Sequence, residues 1–107
     1  MLPETFKNTT IAIFGLGIEG IDLLHYLYDE GAKIKLYDQK SNDKILNILQ
    51  KFDKKQIEVH FGNVPEDSIK DVKYAFISQG IPLKSPQLEI INKNNIQIES
   101  MTSLFFN

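Results

Sequence analysis

Two periodicities alternate along this chain. Short runs of apolar and β-branched residues predict strands, and the stretches between them carry apolar residues three or four positions apart, as amphipathic helices do. The predicted strands are Thr10–Phe14, Lys33–Tyr37, Ile57–Phe61, Tyr74–Ser78 and Ile96–Glu99. The predicted helical segments are Ile18–Glu30, a second helix capped by Ser41 or Asn42 with its apolar face at residues 45–52, a short turn at 65–69, and Pro86–Asn94.

This order of elements predicts the fold. Strands that alternate with helices form a parallel sheet with right-handed crossovers and helices on both faces. The strand Tyr74–Ser78 is apolar at both alternating sets of positions, which is typical of a central parallel strand. We therefore predict an α/β, Rossmann-like three-layer α/β/α domain over residues 1–107, with a five-stranded parallel sheet in the order 3-2-1-4-5. The ligand crevice is expected at the carboxyl ends of strands 1, 2 and 4.

The first predicted strand runs directly into a glycine-rich turn, Gly-Leu-Gly-Ile-Glu-Gly at residues 15–20, that opens a helix. In such a turn Gly15 permits the tight bend, Gly17 lets the backbone approach a phosphate, and Gly20 lets the helix pack close to the strand. The unpaired N–H groups at the helix N-terminus favour an anion. The pattern indicates a nucleotide-type ligand, with a purely structural glycine turn as the alternative.

Four further residues are expected at the same crevice. Asp38 ends the second strand and is a candidate acceptor for a ribose hydroxyl or a base, or alternatively a strand-end cap. Lys40 is a candidate phosphate contact or a solvated lysine. Ser78 and Gly80 follow a central strand, where hydroxyl and backbone groups face the crevice, although Ser78 is equally compatible with a turn cap.

No catalytic residue and no metal site are predicted. His25 and His60 have no partner at ligand spacing and no nucleophile nearby in sequence, so both are interpreted as structural. The chain contains no nucleophile elbow, no paired-carboxylate arrangement and no G-x-x-x-x-G-K-[ST] sequence.

Composition narrows the possible partners and the cellular location. The chain has no Cys, which excludes disulfides and thiolate metal sites, and its net charge of −2 provides no basic footprint for nucleic acid. There is no apolar run long enough to span a membrane and no signal peptide. We therefore expect a cytoplasmic protein with neither nucleic acid nor membrane as partner. All 12 basic residues are Lys, so any phosphate contact must come from backbone N–H groups or point-charge lysines.

Five segments together resemble the N-terminal domain of the Mur ligases, and among these the branch that joins D-glutamate to UDP-N-acetylmuramoyl-L-alanine. In one-letter code the segments are GLGIEG, YDQK, ISQGIPLKSPQL, NNIQIES and LFF. The third is the most specific, because Ser-x-Gly-Ile-Pro followed by a proline and a helix is not a feature of ordinary dehydrogenases. The resemblance covers residues 8–106.

The resemblance implies a function for the whole enzyme and a smaller role for this domain. In the family this domain holds the UDP end of the muramoyl substrate, a central P-loop domain binds ATP with Mg²⁺, and a C-terminal domain binds the amino acid. The reaction phosphorylates the substrate carboxylate and then forms an amide with D-glutamate, a step in making peptidoglycan precursors. The central and C-terminal domains are absent from these 107 residues. The chain alone is therefore expected to bind a UDP-sugar, with no cofactor of its own, to be non-catalytic, and to have the central domain as a partner.

The resemblance also implies a role for several residues. Ile18 and Glu19 would lie beside the diphosphate through their backbone N–H groups. Asp38 and Gln39 would contact the uracil, Lys40 would approach phosphate, and Gly80 would border the uridine. The predicted substrate-binding set is Gly15, Gly17, Ile18, Glu19, Gly20, Asp38, Gln39, Lys40, Ser78 and Gly80.

The sequence departs from the family pattern at three positions. The family usually has Thr or Ser in place of Glu19, Pro in place of Gln79, and often an acid in place of Ser103. Glu19 places a carboxylate near the expected diphosphate.

Two other classes stay open. One is an NAD(H)-binding regulatory domain of the kind that gates potassium transport, and the other is a cofactor-binding fragment of a dehydrogenase. Both share the glycine loop and Asp38, but the segment at residues 78–82 argues against them. Separately, the apolar cluster Leu104, Phe105 and Phe106 predicts a weak homodimer.

Overall fold

The computed structural model describes residues 4–39, 41, 43–78, 81 and 84–100, without the side chains of residues 18 and 19. Its five parallel strands are β1 (Thr10–Phe14), β2 (Lys33–Asp38), β3 (Ile57–Phe61), β4 (Tyr74–Ile77) and β5 (Gln97–Ser100). Their order in the sheet is β3-β2-β1-β4-β5, which confirms the predicted order. The helices are α1 (Ile18–Asp29), α2 (Asp43–Leu49) and α3 (Pro86–Lys93), with one 3₁₀ turn at Glu66–Ile69.

Helices cover both faces of the sheet, as the element order predicted. Side chains alternate along each strand, so β1 sends Ile11 and Ile13 to one face and Ala12 and Phe14 to the other. The first pair packs in one core with α1 and α2, and the second pair packs in another core with α3. The four side chains from Ile11 to Phe14 are completely buried, as expected for the central strand of a two-sided sheet.

The helix ends follow the local chemistry closely. Gly31 comes just after α1 with φ of +89° and donates its N–H to the Tyr28 carbonyl, so it stops the helix as predicted. The α3 helix begins with Ser85 as N-cap, whose hydroxyl accepts the Leu88 N–H at 3.4 Å. Pro86 occupies the first turn, as predicted.

Several boundaries differ from the predicted ones by a few residues. The α2 helix ends at Leu49, although the apolar periodicity continues to Phe52. Strand β2 extends to Asp38, whose carbonyl accepts the Gly62 N–H at 2.8 Å. Strand β4 ends at Ile77, one residue before Ser78, and β5 is shifted by one residue towards the C-terminus. None of the helices in the described ranges is long and apolar enough to cross a membrane.

Candidate functional site

The ends of β1, β2 and β4 meet at one edge of the sheet. This is the point where the strand order reverses direction, and open α/β sheets bind ligands there. Two backbone hydrogen bonds hold the meeting point together. Gly15 donates to the Tyr37 carbonyl at 2.8 Å, and Ser78 donates to the Phe14 carbonyl at 3.1 Å. The glycine loop is therefore attached to both neighbouring strands.

Gly15 occupies a position that only glycine fits. Its φ is +92°, and a Cβ atom there would lie 2.6 Å from Ser78 Oγ and 3.1 Å from Ser78 Cβ. The loop thus turns sharply and packs directly on the end of β4. This geometry supports the tight-turn role predicted for Gly15, and it places Ser78 against the loop.

Gly17, unlike Gly15, is not packed against another strand. It precedes α1 with φ of −78°, it makes no side-chain cap, and a Cβ atom there would meet nothing within 4 Å. The first bond of the helix runs from the Ile21 N–H to the Gly17 carbonyl, so the N–H groups of residues 18–20 precede the hydrogen-bonded ladder. Open space therefore lies beside uncapped donors at the positive end of the helix dipole.

Asp38 has a structural contact that the sequence did not reveal. Its Oδ2 accepts the backbone N–H of Leu16 at 3.0 Å, so the half-buried carboxylate of β2 fastens the glycine loop. Among the described residues, no hydrogen bond reaches its Oδ1. The contact joins residues 22 positions apart, and nothing local in the sequence signals it.

A cleft of about 270 Å³ opens beside this loop. It is lined by Gly15, Tyr37, Asp38, Gln39, Ile81, Ser85, Pro86 and Gln87. Three of the predicted site residues, Gly15, Asp38 and Gln39, therefore share one cavity. The start of α3 forms its other wall, a contribution that sequence reasoning missed. The signal was present, because a helix that follows a parallel strand begins at that strand's carboxyl edge.

Tyr37 gives the cleft a rigid wall. Its ring is stacked between those of Phe14, at a centroid distance of 4.7 Å, and His60, at 5.2 Å. Its hydroxyl forms a 2.8 Å hydrogen bond with Ser68 Oγ, and burial raises the pKa of Tyr37 to about 12. Tyr37 is therefore a neutral and fixed surface at ordinary pH. His60 belongs to this stack, in keeping with its predicted structural role.

The structure describes only some of the remaining predicted site residues. Gly20 is buried within α1, which agrees with close helix packing. The side chains of Ile18 and Glu19, all of Lys40 and Gly80, and the cluster Leu104, Phe105 and Phe106 lie outside the described residues. Within the described ranges, no three His, Asp or Glu side chains come close enough to hold a metal ion.

Comparison with known proteins identifies the family of this domain. The model of the MurD-like Mur ligase N-terminal domain matches residues 9–100. The chain belongs to this family. It is 28% identical over 102 residues to the UDP-N-acetylmuramoylalanine–D-glutamate ligase of Alkaliphilus metalliredigens, covering 94% of this chain and 22% of that protein. The ligase of the same name from Buchnera aphidicola is 30% identical over 104 residues, covering 97% and 23%.

The Mur ligase domain therefore spans about a fifth of the length of the curated relatives that it matches. Among solved structures it is similar to shikimate dehydrogenase from Aquifex aeolicus, with a TM-score of 0.61 and 20% identity over 94% of this chain and 45% of that one. At this level of identity the likeness concerns the Rossmann-like fold alone.

Proposed function

We propose that this Mur ligase domain binds the UDP end of UDP-N-acetylmuramoyl-L-alanine, within a longer protein that joins D-glutamate to this substrate. The observation that carries the proposal is the cleft bordered by Gly15, Asp38 and Gln39 beside the uncapped N-terminus of α1. Similarity to ligases named for UDP-N-acetylmuramoylalanine supports the choice of substrate class.

The crevice offers different chemistry to the two parts of a UDP group. The N–H groups at the start of α1 donate to an anion, and the space over Gly17 lets a diphosphate approach them. In this proposal the carboxylate of Asp38 and the exposed Gln39, which both line the cleft, bind uracil or ribose.

The size of the cleft limits how much of the substrate this domain holds. Its volume of about 270 Å³ lies near the lower end of ligand pockets, which run from about 300 Å³ upward. The cleft therefore suits a nucleoside, while the muramoyl and alanyl groups extend beyond it. Affinity for the isolated domain is expected to be modest, because part of the binding energy of the substrate would come from contacts outside this chain.

ATP and Mg²⁺ belong to the proposed full-length reaction, but the residues of this chain do not fit them. Phosphoryl transfer needs a Lys and a metal gathered with backbone donors around the ATP phosphates. The glycine loop lacks a following Lys-[ST], and the described residues contain no acidic cluster for a metal. We therefore assign ATP chemistry to a domain outside these 107 residues and expect the chain alone to release no ADP.

An NMR titration of the ¹⁵N-labelled chain tests the binding proposal. UDP-N-acetylmuramoyl-L-alanine is expected to shift the amide signals of the non-proline residues at 15–20, 38–40, 78–82 and 85–87. Gly17→Ala provides a matched variant, because its backbone conformation suits alanine and a methyl group there touches no protein atom. This variant should keep its fold and lose affinity, since the methyl group occupies the space proposed for the diphosphate.

NAD serves as the competing ligand in the same experiment. Shifts with NAD and none with the UDP-sugar would overturn the proposal in favour of a dinucleotide-binding domain. Unchanged affinity of the Gly17→Ala variant would mean that the diphosphate does not bind at the start of α1. ADP release by the purified chain, with ATP and any amino acid, would contradict the expected lack of catalysis.

A further inference from the structure

The outer side of β3 is a free sheet edge with its hydrogen-bonding groups turned outward. Ile34 donates to the Gln56 carbonyl, and Gly62 donates to the Asp38 carbonyl. Because in-plane groups alternate along a parallel strand, residues 56, 58, 60 and 62 bond to β2, and residues 57, 59 and 61 direct their N–H and C=O groups away from it. No strand follows β3 on that side of the described sheet.

This edge carries one exposed charge, Glu58, but neither lysine nor proline and no bulge. Proteins commonly block free edges with lysine, proline or a bulge. The sequence of β3 is Ile-Glu-Val-His-Phe, and its five residues pair with β2 in unbroken register. The edge is therefore able to accept another strand.

The sequence of β3 is complementary to itself in the antiparallel direction. We propose that a second copy of this chain pairs with β3 about a two-fold axis that passes through Val59. Ile57 then lies opposite the partner's Phe61, and Val59 lies opposite the partner's Val59. These are the residues whose backbone groups point outward, and directly opposed residues of this kind exchange both of their hydrogen bonds.

Polar complementarity between Glu58 and His60 favours this register over its neighbours. With the axis at Val59, Glu58 faces the partner's His60 in a non-hydrogen-bonded pair, where opposing side chains approach most closely. Glu58 and His60 already contact each other within one copy, with 2.6 Å between Oε2 and Nε2, so the pairing would build an alternating four-membered cluster. Moving the axis to residue 58 opposes two glutamates, and moving it to residue 60 opposes two histidines.

An apolar groove beside the edge adds to the interface. It has a volume of about 450 Å³ and lies between α2 and β3, where Leu46 is 41% exposed. The groove is also lined by Leu49, Phe52, Val59 and Phe61. Directly opposed residues point to the same face of a sheet, so the proposed pairing brings the grooves of the two copies side by side and covers their open ends.

Hydrogen exchange measured across protein concentration tests the register. The amide groups of residues 57, 59 and 61 are expected to gain at least tenfold protection as the chain associates. The amide groups of residues 58 and 60, which bond to β2 in every state, should change far less. Equal protection of odd and even residues, or none, would overturn the pairing.

Sedimentation equilibrium of designed variants tests the contacts. Val59→Pro removes an outward donor without removing a β2 bond, so it should keep the fold and abolish the dimer. Glu58→Lys should raise the dimer Kd about tenfold, because it removes the acceptor that faces the partner's His60 and places a second ammonium group near Lys35, whose Nζ lies 3.9 Å from Glu58 Oε2. Adding His60→Glu restores opposite charges across the axis and should bring the Kd back to within a few-fold of the original value.

The cluster Leu104, Phe105 and Phe106 is the competing surface. Phe105→Ser with Phe106→Ser should leave the β3-mediated dimer in place. A dimer abolished by this double variant and retained by Val59→Pro would overturn the proposal. A monomer at all concentrations, or failure of the Glu58→Lys and His60→Glu pair to restore association, would also overturn it.

Discussion

Replacing Gly15 by alanine probes the contact on which the crevice depends. Gly15 connects β1 to the glycine loop at φ of +92°, with its α-carbon packed against Ser78. Gly17 is the matched control, because it lies two residues further along the same loop, has an ordinary φ of −78° and faces open space. The two substitutions add the same methyl group and differ in what it meets and in the backbone conformation that alanine must adopt.

The structure sets the size of the expected effect. Holding an alanine in a left-handed conformation costs about 1–2 kcal/mol. Ser78 Oγ, 2.6 Å from the new Cβ, can rotate away, but Ser78 Cβ at 3.1 Å cannot, so the loop or β4 must shift. Crowding of this kind costs about 1–3 kcal/mol. Gly15→Ala should therefore lower the free energy of unfolding by about 2–5 kcal/mol, a large part of the stability of a domain of this size.

Urea unfolding monitored by circular dichroism measures both variants. Gly17→Ala should change the free energy of unfolding by less than about 1 kcal/mol, because alanine restricts the unfolded chain more than glycine does but is less favourable than glycine at the N-cap. Adding Ser78→Ala to Gly15→Ala removes the crowding by Ser78 Oγ but leaves the backbone strain. The double variant should therefore be more stable than Gly15→Ala and less stable than the original chain. Equal stability of Gly15→Ala and Gly17→Ala would refute the reasoning, because it would mean that neither the strain nor the contact exists.

Three further predictions concern the cleft and its surroundings. Asp38→Ala should weaken UDP-sugar binding. It should also lower the free energy of unfolding by about 0.5–1.5 kcal/mol, because the Leu16 N–H loses its acceptor. Urea unfolding and ligand titration of the same variant separate the two effects, and unchanged stability would contradict the role of Asp38 in fastening the loop. Stability should fall as the pH rises from about 10 to about 12, by up to about 3 kcal/mol, because folded Tyr37 holds its proton above the unfolded pKa of 10.0. Tyr37→Phe should remove that fall in urea unfolding, and a fall that persists would assign it to other groups. Glu19→Thr should tighten UDP-sugar binding several-fold, most clearly at low salt, and unchanged affinity would mean that Glu19 does not repel the diphosphate.

Local patterns predicted the architecture because each element carries its own signal. The period of the apolar residues separated strands from helices, and Gly31 and Pro86 marked helix ends through conformations that are specific to these residue types. Chirality and burial rules then led from the order of elements to the order of strands. The errors were confined to boundaries such as the end of α2, where the apolar pattern continues after the backbone has left the helix.

The candidate site was predicted only in part. The sequence placed Gly15, Asp38 and Gln39 at one edge, and the structure brings them to one cleft. The proposed ligand roles of these residues stay predictions. The opposite wall, formed by the start of α3, was not foreseen, although its residues belong to the segment ISQGIPLKSPQL, because they come to the cleft only through the packing of α3 against the sheet.

The sequence alone determined the α/β class, the strand order and the position of the glycine loop, because these follow from short-range periodicity and from glycine's unique backbone freedom. Only the tertiary structure decided that Asp38 fastens Leu16, that Tyr37 stacks between Phe14 and His60, and that the outward groups of β3 form a free edge. Each of these depends on where distant segments meet and on which way their side chains and backbone groups point. That information arises from packing, and no local stretch of sequence contains it.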